Sequence, residues 1–288
     1  MNHPIPKIIR LAALFLFGGL LAGCAAPVEP VAQAEITPES ATNTEDSHLE
    51  AYFQGFEGAF VLYDQENNST LRYNPQRCAT RFLPASTFKI VNSLIGLETG
   101  VIPDENYVIP WDGTRYPVPS WNRDHNLKTA IQDSVVWYYR ELARRVERDQ
   151  MQAYIDNVGY GNRDISGSVD YFWLDGSLQI SADEQVELLK RLERDDLPFS
   201  QRSLDIVKEI ILLESGEDYK LRGKTGYGEV DGIHTGWFVG YIEKQGRLAF
   251  FALNIGGSNS EANGSKAKEI ALDILQGLNL LPESDEVP

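Results

Sequence analysis

"YKLRGKTGYGEVDGIHTGWFVGYIEKQGRLAFFALNI", Tyr219 to Ile255, decides the fold. It holds three strand-like runs, "YKLRGKTGY", "GWFVGYIEK" and "RLAFFALNI", separated by turns that contain Gly or Lys. Short turns between consecutive strands favour antiparallel pairing, because parallel strands need a long crossover. Upstream, "GAFVLYD" and "LRYN" flank the polar "NNST" and read as a further hairpin. The middle of the chain is helical. Pro84 precedes an apolar segment from Ala85 to Glu98, with Gly100 placed as its stop. "TAIQDSVVWYYRELARRV", "MQAYIDNVGYG" and "SLDIVKEIILL" carry helical patterns, and "SADEQVELLKRL" opens on a capping box, Ser181 with Glu184 three residues on. "SKAKEIALDILQGL" closes the chain as a helix. Strands at both ends with helices between them predict an α+β fold: an antiparallel sheet built from N- and C-terminal strands, flanked by helices, with a helical insert beside it. A site is expected where the insert meets the sheet.

The 288 residues suit one large or two small globular units, and 42% hydrophobic content with 10% aromatics excludes a chain disordered throughout. The net charge of -16 argues against nucleic-acid binding, which needs basic patches to neutralise phosphates. Two cysteines, Cys24 and Cys78, cannot build a disulfide framework or a zinc cluster.

The N-terminus, "MNHPIPKIIRLAALFLFGGLLAGC", has a basic start at Lys7 and Arg10, then an apolar run from Leu11 to Leu21 that is short for a membrane span. "LAGC" resembles the lipobox of bacterial lipoproteins. Residues 1–23 are thus expected to be a signal peptide and Cys24 a lipidated residue; an ordinary secretory signal cut nearby is the alternative. Either way the domain is exported, and the lipid would hold it on a membrane facing the periplasm or the cell surface. Loss of residues 1–23 leaves 24 basic against 42 acidic residues, a net of -18. Residues 24–47, rich in Ala, Pro, Thr and Glu, read as a solvated tether that spans on the order of 25 Å. The folded domain is expected over 48–288.

"PASTFKI", Pro84 to Ile90, places a serine and a lysine three residues apart in the most apolar helix of the chain. Residues i and i+3 share a helix face. A serine in the first turn lies near free backbone N–H groups and the positive end of the helix, which stabilise a developing oxyanion. Phe88, Ile90, Val91, Leu94 and Ile95 give Lys89 apolar surroundings that disfavour its ammonium form, and a neutral amine is a base. The spacing alone is a weak signal, since "SKAK" at Ser265 to Lys268 repeats it on a polar stretch. No G-x-S-x-G elbow and no H-E-x-x-H pair is present, so no metal site is expected. "SVV" at Ser134 to Val136, "YGN" at Tyr160 to Asn162, "WLDG" from Trp173 and Leu174, and "KTG" at Lys224 to Gly226 complete the candidate set. Each has an ordinary structural reading: a helix cap, a loop, core packing, a strand charge facing water. Lys224 brings charge, Thr225 a hydroxyl, and Gly226 a close approach to the backbone.

In order and rough spacing these elements resemble the class D serine β-lactamases, the oxacillinases. The resemblance runs from about Ala59 to the last helix and includes "FVLYD", "RFLPASTFKI", "WNRDH" and "TGWFVGY". It implies a penicillin-binding/β-lactamase-like fold and hydrolysis of β-lactams through an acyl-enzyme on Ser86. Lys89 is then carboxylated by CO2 and acts as general base, with Trp173 donating to the carbamate. Ser134, beside Lys224, passes a proton to the leaving nitrogen. The backbone N–H groups of Ser86 and Tyr227 form the oxyanion hole, and Val136 and Leu174 shield the modified lysine. No cofactor beyond CO2 or bicarbonate is implied. The family usually grips the substrate carboxylate with an arginine after the "FALN" strand; no arginine follows Gly256, and Lys266 is the nearest equivalent, with Lys268 second. Thr225 and Gly226 are the other substrate-binding candidates. Two rivals share these motifs: a β-lactam sensor that acylates without turnover, and a peptidoglycan DD-peptidase. Substrate spectrum and oligomeric state, a homodimer included, are left open by the sequence.

Overall fold

The computed structural model describes residues His48–Pro282, all within one compact unit. The signal peptide and the whole of the tether expected over residues 1–47 lie outside the described residues. Six strands form one sheet: β1 (Glu57–Asp64), β2 (Ser69–Tyr73), β3 (Leu212–Ser215), β4 (Tyr219–Val230), β5 (Ile233–Lys244) and β6 (Arg247–Gly257). Their order is β2-β1-β6-β5-β4-β3 and every pairing is antiparallel. The N-terminal hairpin therefore joins the C-terminal strands by β1 lying on β6, as expected for an α+β fold.

Two turns explain the central meander. Val230 pairs Ile233 across Asp231-Gly232, and Lys244 pairs Arg247 across Gln245-Gly246. All four turn residues have positive φ, between 52° and 81°. That is the turn whose twist matches two antiparallel strands, and it is why glycine follows a polar residue at both.

Both faces of the sheet are covered, so β5 and β6 are apolar on both sides instead of alternating. Val61, Val239, Tyr241, Phe250 and Ala252 pack into the core shared with the helical insert. Phe60, Phe238, Phe251, Leu253 and Ile255 pack against Ala267, Ile270, Ala271 and Ile274 of the last helix, Gly264–Gly277. Burying each large side chain of this kind contributes about 1.5–3 kcal/mol.

Two helical expectations need correction. "SLDIVKEIILL" is not one helix: the helix Gln201–Ile210 ends, and Leu212 starts β3 by pairing with Arg222. The apolar run Ile210–Leu213 satisfies either period, and the free edge of β4 takes it as a short strand. The segment from Thr129 to Val146 is likewise broken. Leu127–Gln132 is one helix, closed at its start by a capping box between Asn126 and Thr129, and Val136–Val146 is another. Ser134 stands between them at φ 55°. A non-glycine residue in that region is strained and calls for partners that hold it; they come from the site below.

Candidate active site

Ser86 lies in a 3-10 turn, Ala85–Phe88, that runs straight into the helix Lys89–Glu98. The turn starts at Pro84 with no side-chain cap, and Ala85 has φ 48°. It rests against β4. Strand β3 pairs β4 only as far as Arg222, so the edge of β4 beyond that point is open to the turn. A Cβ at Gly226 would come within 2.9 Å of the Pro84 carbonyl, and one at Gly228 within 2.4 Å of Leu83. Glycine at these two positions lets strand backbone reach the serine turn.

Lys89 is fully buried, and Ser86 is only 8% exposed. Lys89 Nζ lies 2.9 Å from Ser86 Oγ, 2.7 Å from the Ser134 carbonyl and 3.0 Å from Ser134 Oγ. These contacts hold the strained Ser134 backbone and explain the break between the two helices. Burial, and then the nearby charge of Lys224, push the Lys89 amine well below the ordinary lysine range. Lys224 is itself buried, and burial with the charge of Lys268 lowers it to about 7. Its Nζ donates to the Thr225 carbonyl at 3.0 Å. Two lysines buried without a paired acid are both pushed toward their neutral amine forms. Among the described residues no group of His, Cys, Asp and Glu could hold a metal ion.

Trp173 is fully buried, stacked on Phe88 at 5.7 Å, and its Nε1 has no partner. Its loop is fixed by Asp170, 7% exposed, which accepts from Ser168, Arg140 and Arg144. Both arginines sit on the helix that Val136 begins. The loop under Trp173 and the helix start beside Ser134 are thus tied together. Val136 and Leu174 are half-buried. Of the "YGN" loop, the Tyr160 ring packs edge-on to Phe88, and Asn162 fastens the loop through the backbone of Ser177 and Gln179.

The structure brings together Ser86, Lys89, Ser134, Lys224, Thr225 and Gly226. The Tyr227 backbone follows Gly226 along the edge, while its exposed ring meets His234, with Oη 2.9 Å from Nδ1. Lys266 is not brought to these groups. Its Nζ pairs with Glu269 at 2.7 Å, one turn along its own helix, and it lines a surface cleft with Phe56, Gly257 and Asn259. Lys268 is the cation whose charge reaches Lys224, with Nζ 5.9 Å from the centre of the Phe238 ring. Sequence reasoning passed over the tie at Asp170, and over Asn92 and Ser93. The signal for the last two was two adjacent polar residues in a helix buried on every side.

A model of the penicillin-binding protein transpeptidase domain matches residues 58–276. β-Lactamase OXA-48 of Klebsiella pneumoniae is 42% identical over 226 residues, 78% of this chain and 85% of that protein. The chain belongs to the class D serine β-lactamases. A solved class D β-lactamase from Nostoc superposes on this class D protein with a TM-score of 0.77 at 43% identity, covering 81% of this chain and 99% of that one. The regulatory protein BlaR1 of Bacillus licheniformis is 38% identical over 275 residues, 94% of this chain but 45% of that protein, so the chain spans less than half of this relative.

Proposed function

We propose that the protein hydrolyses the β-lactam amide bond through an acyl-serine intermediate on Ser86, with Lys89 carboxylated by CO2. Two observations carry the lysine assignment: a fully buried Lys89 whose amine is pushed well below the ordinary lysine range, and a buried Trp173 indole N–H without an acceptor, on the ring stacked against the neighbouring Phe88. A neutral amine is what CO2 adds to, losing one proton, and a donor-only indole suits the anion that results. That carboxylate would supply a general base in a dry pocket, and Trp173 would hold it.

The chain's own residues do the rest. Ser86 Oγ forms a bond to the lactam carbonyl carbon and gives up its proton toward the base held at Lys89, whose Nζ lies 2.9 Å away. The carbonyl oxygen turns toward the backbone N–H groups of Ser86 and Tyr227. The ring C–N bond breaks, and Ser134, next to Lys89 and with the Lys224 charge close by, delivers a proton to the nitrogen. Water then cleaves the ester, restoring Ser86, so one water is added across the amide bond overall. Lys224, Thr225 and Gly226 face the substrate carboxylate, with Lys268 the better placed of the two sequence candidates for a second cation. The domain works outside the cytoplasm, anchored by a lipid on Cys24; Cys24→Ser should release it from membranes.

Turnover of a chromogenic cephalosporin tests the reaction. Many turnovers per molecule, increased by bicarbonate, support it; a single stoichiometric burst overturns it in favour of a sensor. The kinship with BlaR1 makes the sensor the reading to beat.

A further inference from the structure

Among the described residues, the buried side-chain atoms without a hydrogen-bond partner are both polar atoms of Asn92, Trp173 Nε1 and Tyr160 Oη. The Tyr160 hydroxyl lies by the Thr87–Gln185 pair. Neither polar atom of the Asn92 side chain has a hydrogen-bond partner, and the residue is fully buried. A buried amide left unpaired is costly, so a fold rarely keeps one without an occupant. The spacing of Asn92 along the helix points to its occupant. It is three residues after Lys89 and four after Phe88, so it shares a face with both. Phe88 is the ring that stacks on Trp173. Asn92 thus sits one turn along from the lysine and from the aromatic that carries the other orphaned donor. Neighbouring polar groups are already engaged: Ser93 Oγ donates to the Lys89 carbonyl at 2.7 Å and meets Tyr139 Oη at 2.9 Å.

We propose that the Asn92 carboxamide is a positioning residue for Lys89, a second hydrogen-bond partner beside Trp173 for the carboxylate carried on its Nζ; this rests on the carboxylation reading above. A carboxamide offers an N–H and a carbonyl oxygen together, which complements a group that presents carboxylate oxygens next to an N–H. Trp173 supplies one donor only.

The test is a bicarbonate titration of substrate-free protein, followed by the carbon NMR signal of the carboxylated lysine with labelled bicarbonate. Asn92→Leu removes the amide at similar volume, and Asn92→Ala is read in the same way should leucine not fit. The expected result is a half-saturating bicarbonate concentration raised about ten- to a hundredfold, the loss of one hydrogen bond to a charged group, with an unchanged or higher melting temperature. Asn92→Asp, which sets a like charge beside the anion, should abolish the signal. Wild-type protein with the signal and Asn92→Leu titrating at the same concentration would overturn the role of Asn92 alone. Wild-type protein without the signal would overturn the carboxylation reading and this inference with it.

Discussion

Ser86 and Lys89 open one helix, and Ser265 and Lys268, at the same spacing, open another. At the second start the Asn263 side chain accepts from the backbone N–H groups of Ser265 and Lys266, at 3.0 and 3.1 Å. Ser265 is exposed and Lys268 half-buried. At the first start no side chain caps the turn, and every residue from Ala85 to Leu97 is buried. Spacing puts a serine and a lysine on one face in both places. Burial decides whether the lysine keeps its proton, and an uncapped start decides whether backbone donors are left for a substrate.

The sharpest way to break this contrast is to exchange its members. Ser86→Ala should abolish the covalent adduct with penicillin, and Lys89→Ala should lower kcat by about 10²- to 10⁴-fold, the range of a lost general base. Ser265→Ala should stay within twofold of wild type. Initial rates with intact-mass spectra check all three, and a large loss in Ser265→Ala would sink the contrast. Ser134→Ala should follow, with about a hundredfold loss in acylation rate in stopped flow. Lys268→Ala should raise KM for penicillins about three- to tenfold, while Lys266→Ala, whose ammonium is already paired with Glu269, should leave KM nearly unchanged. The reverse order would restore Lys266 as the carboxylate anchor.

Two smaller effects concern stability. Asp170→Ala removes a buried acceptor of three side chains and should cost about 1–3 kcal/mol in urea unfolding. Lys224 is held at about 7 by burial. Between there and the ordinary lysine value the unfolded chain binds more protons than the folded one, so stability rises with pH across that window. Lys224→Met should flatten the rise between pH 7 and 9.

Much of this was legible in the residues. The three strand runs of Tyr219–Ile255, the capping box at Ser181 and the Gly100 stop all appear as read, because turn and cap chemistry act locally. The break at Ser134 was not legible: its strained backbone is held by Lys89, 45 residues earlier. β3 was missed because four apolar-to-polar residues fit helix and strand alike, and only the free edge of β4 selects one. Lys266 was placed by its distance along the chain from the last strand; the competing partner, Glu269 at i+3 on the same helix, was legible and was passed over.

The most direct test of the account is a time course of intact mass after one equivalent of penicillin is added to the wild-type protein. The account predicts an adduct on the Ser86 peptide that forms and then decays to unmodified protein, with the drug recovered one water heavier. An adduct that persists at one per molecule, or none on Ser86, would contradict it.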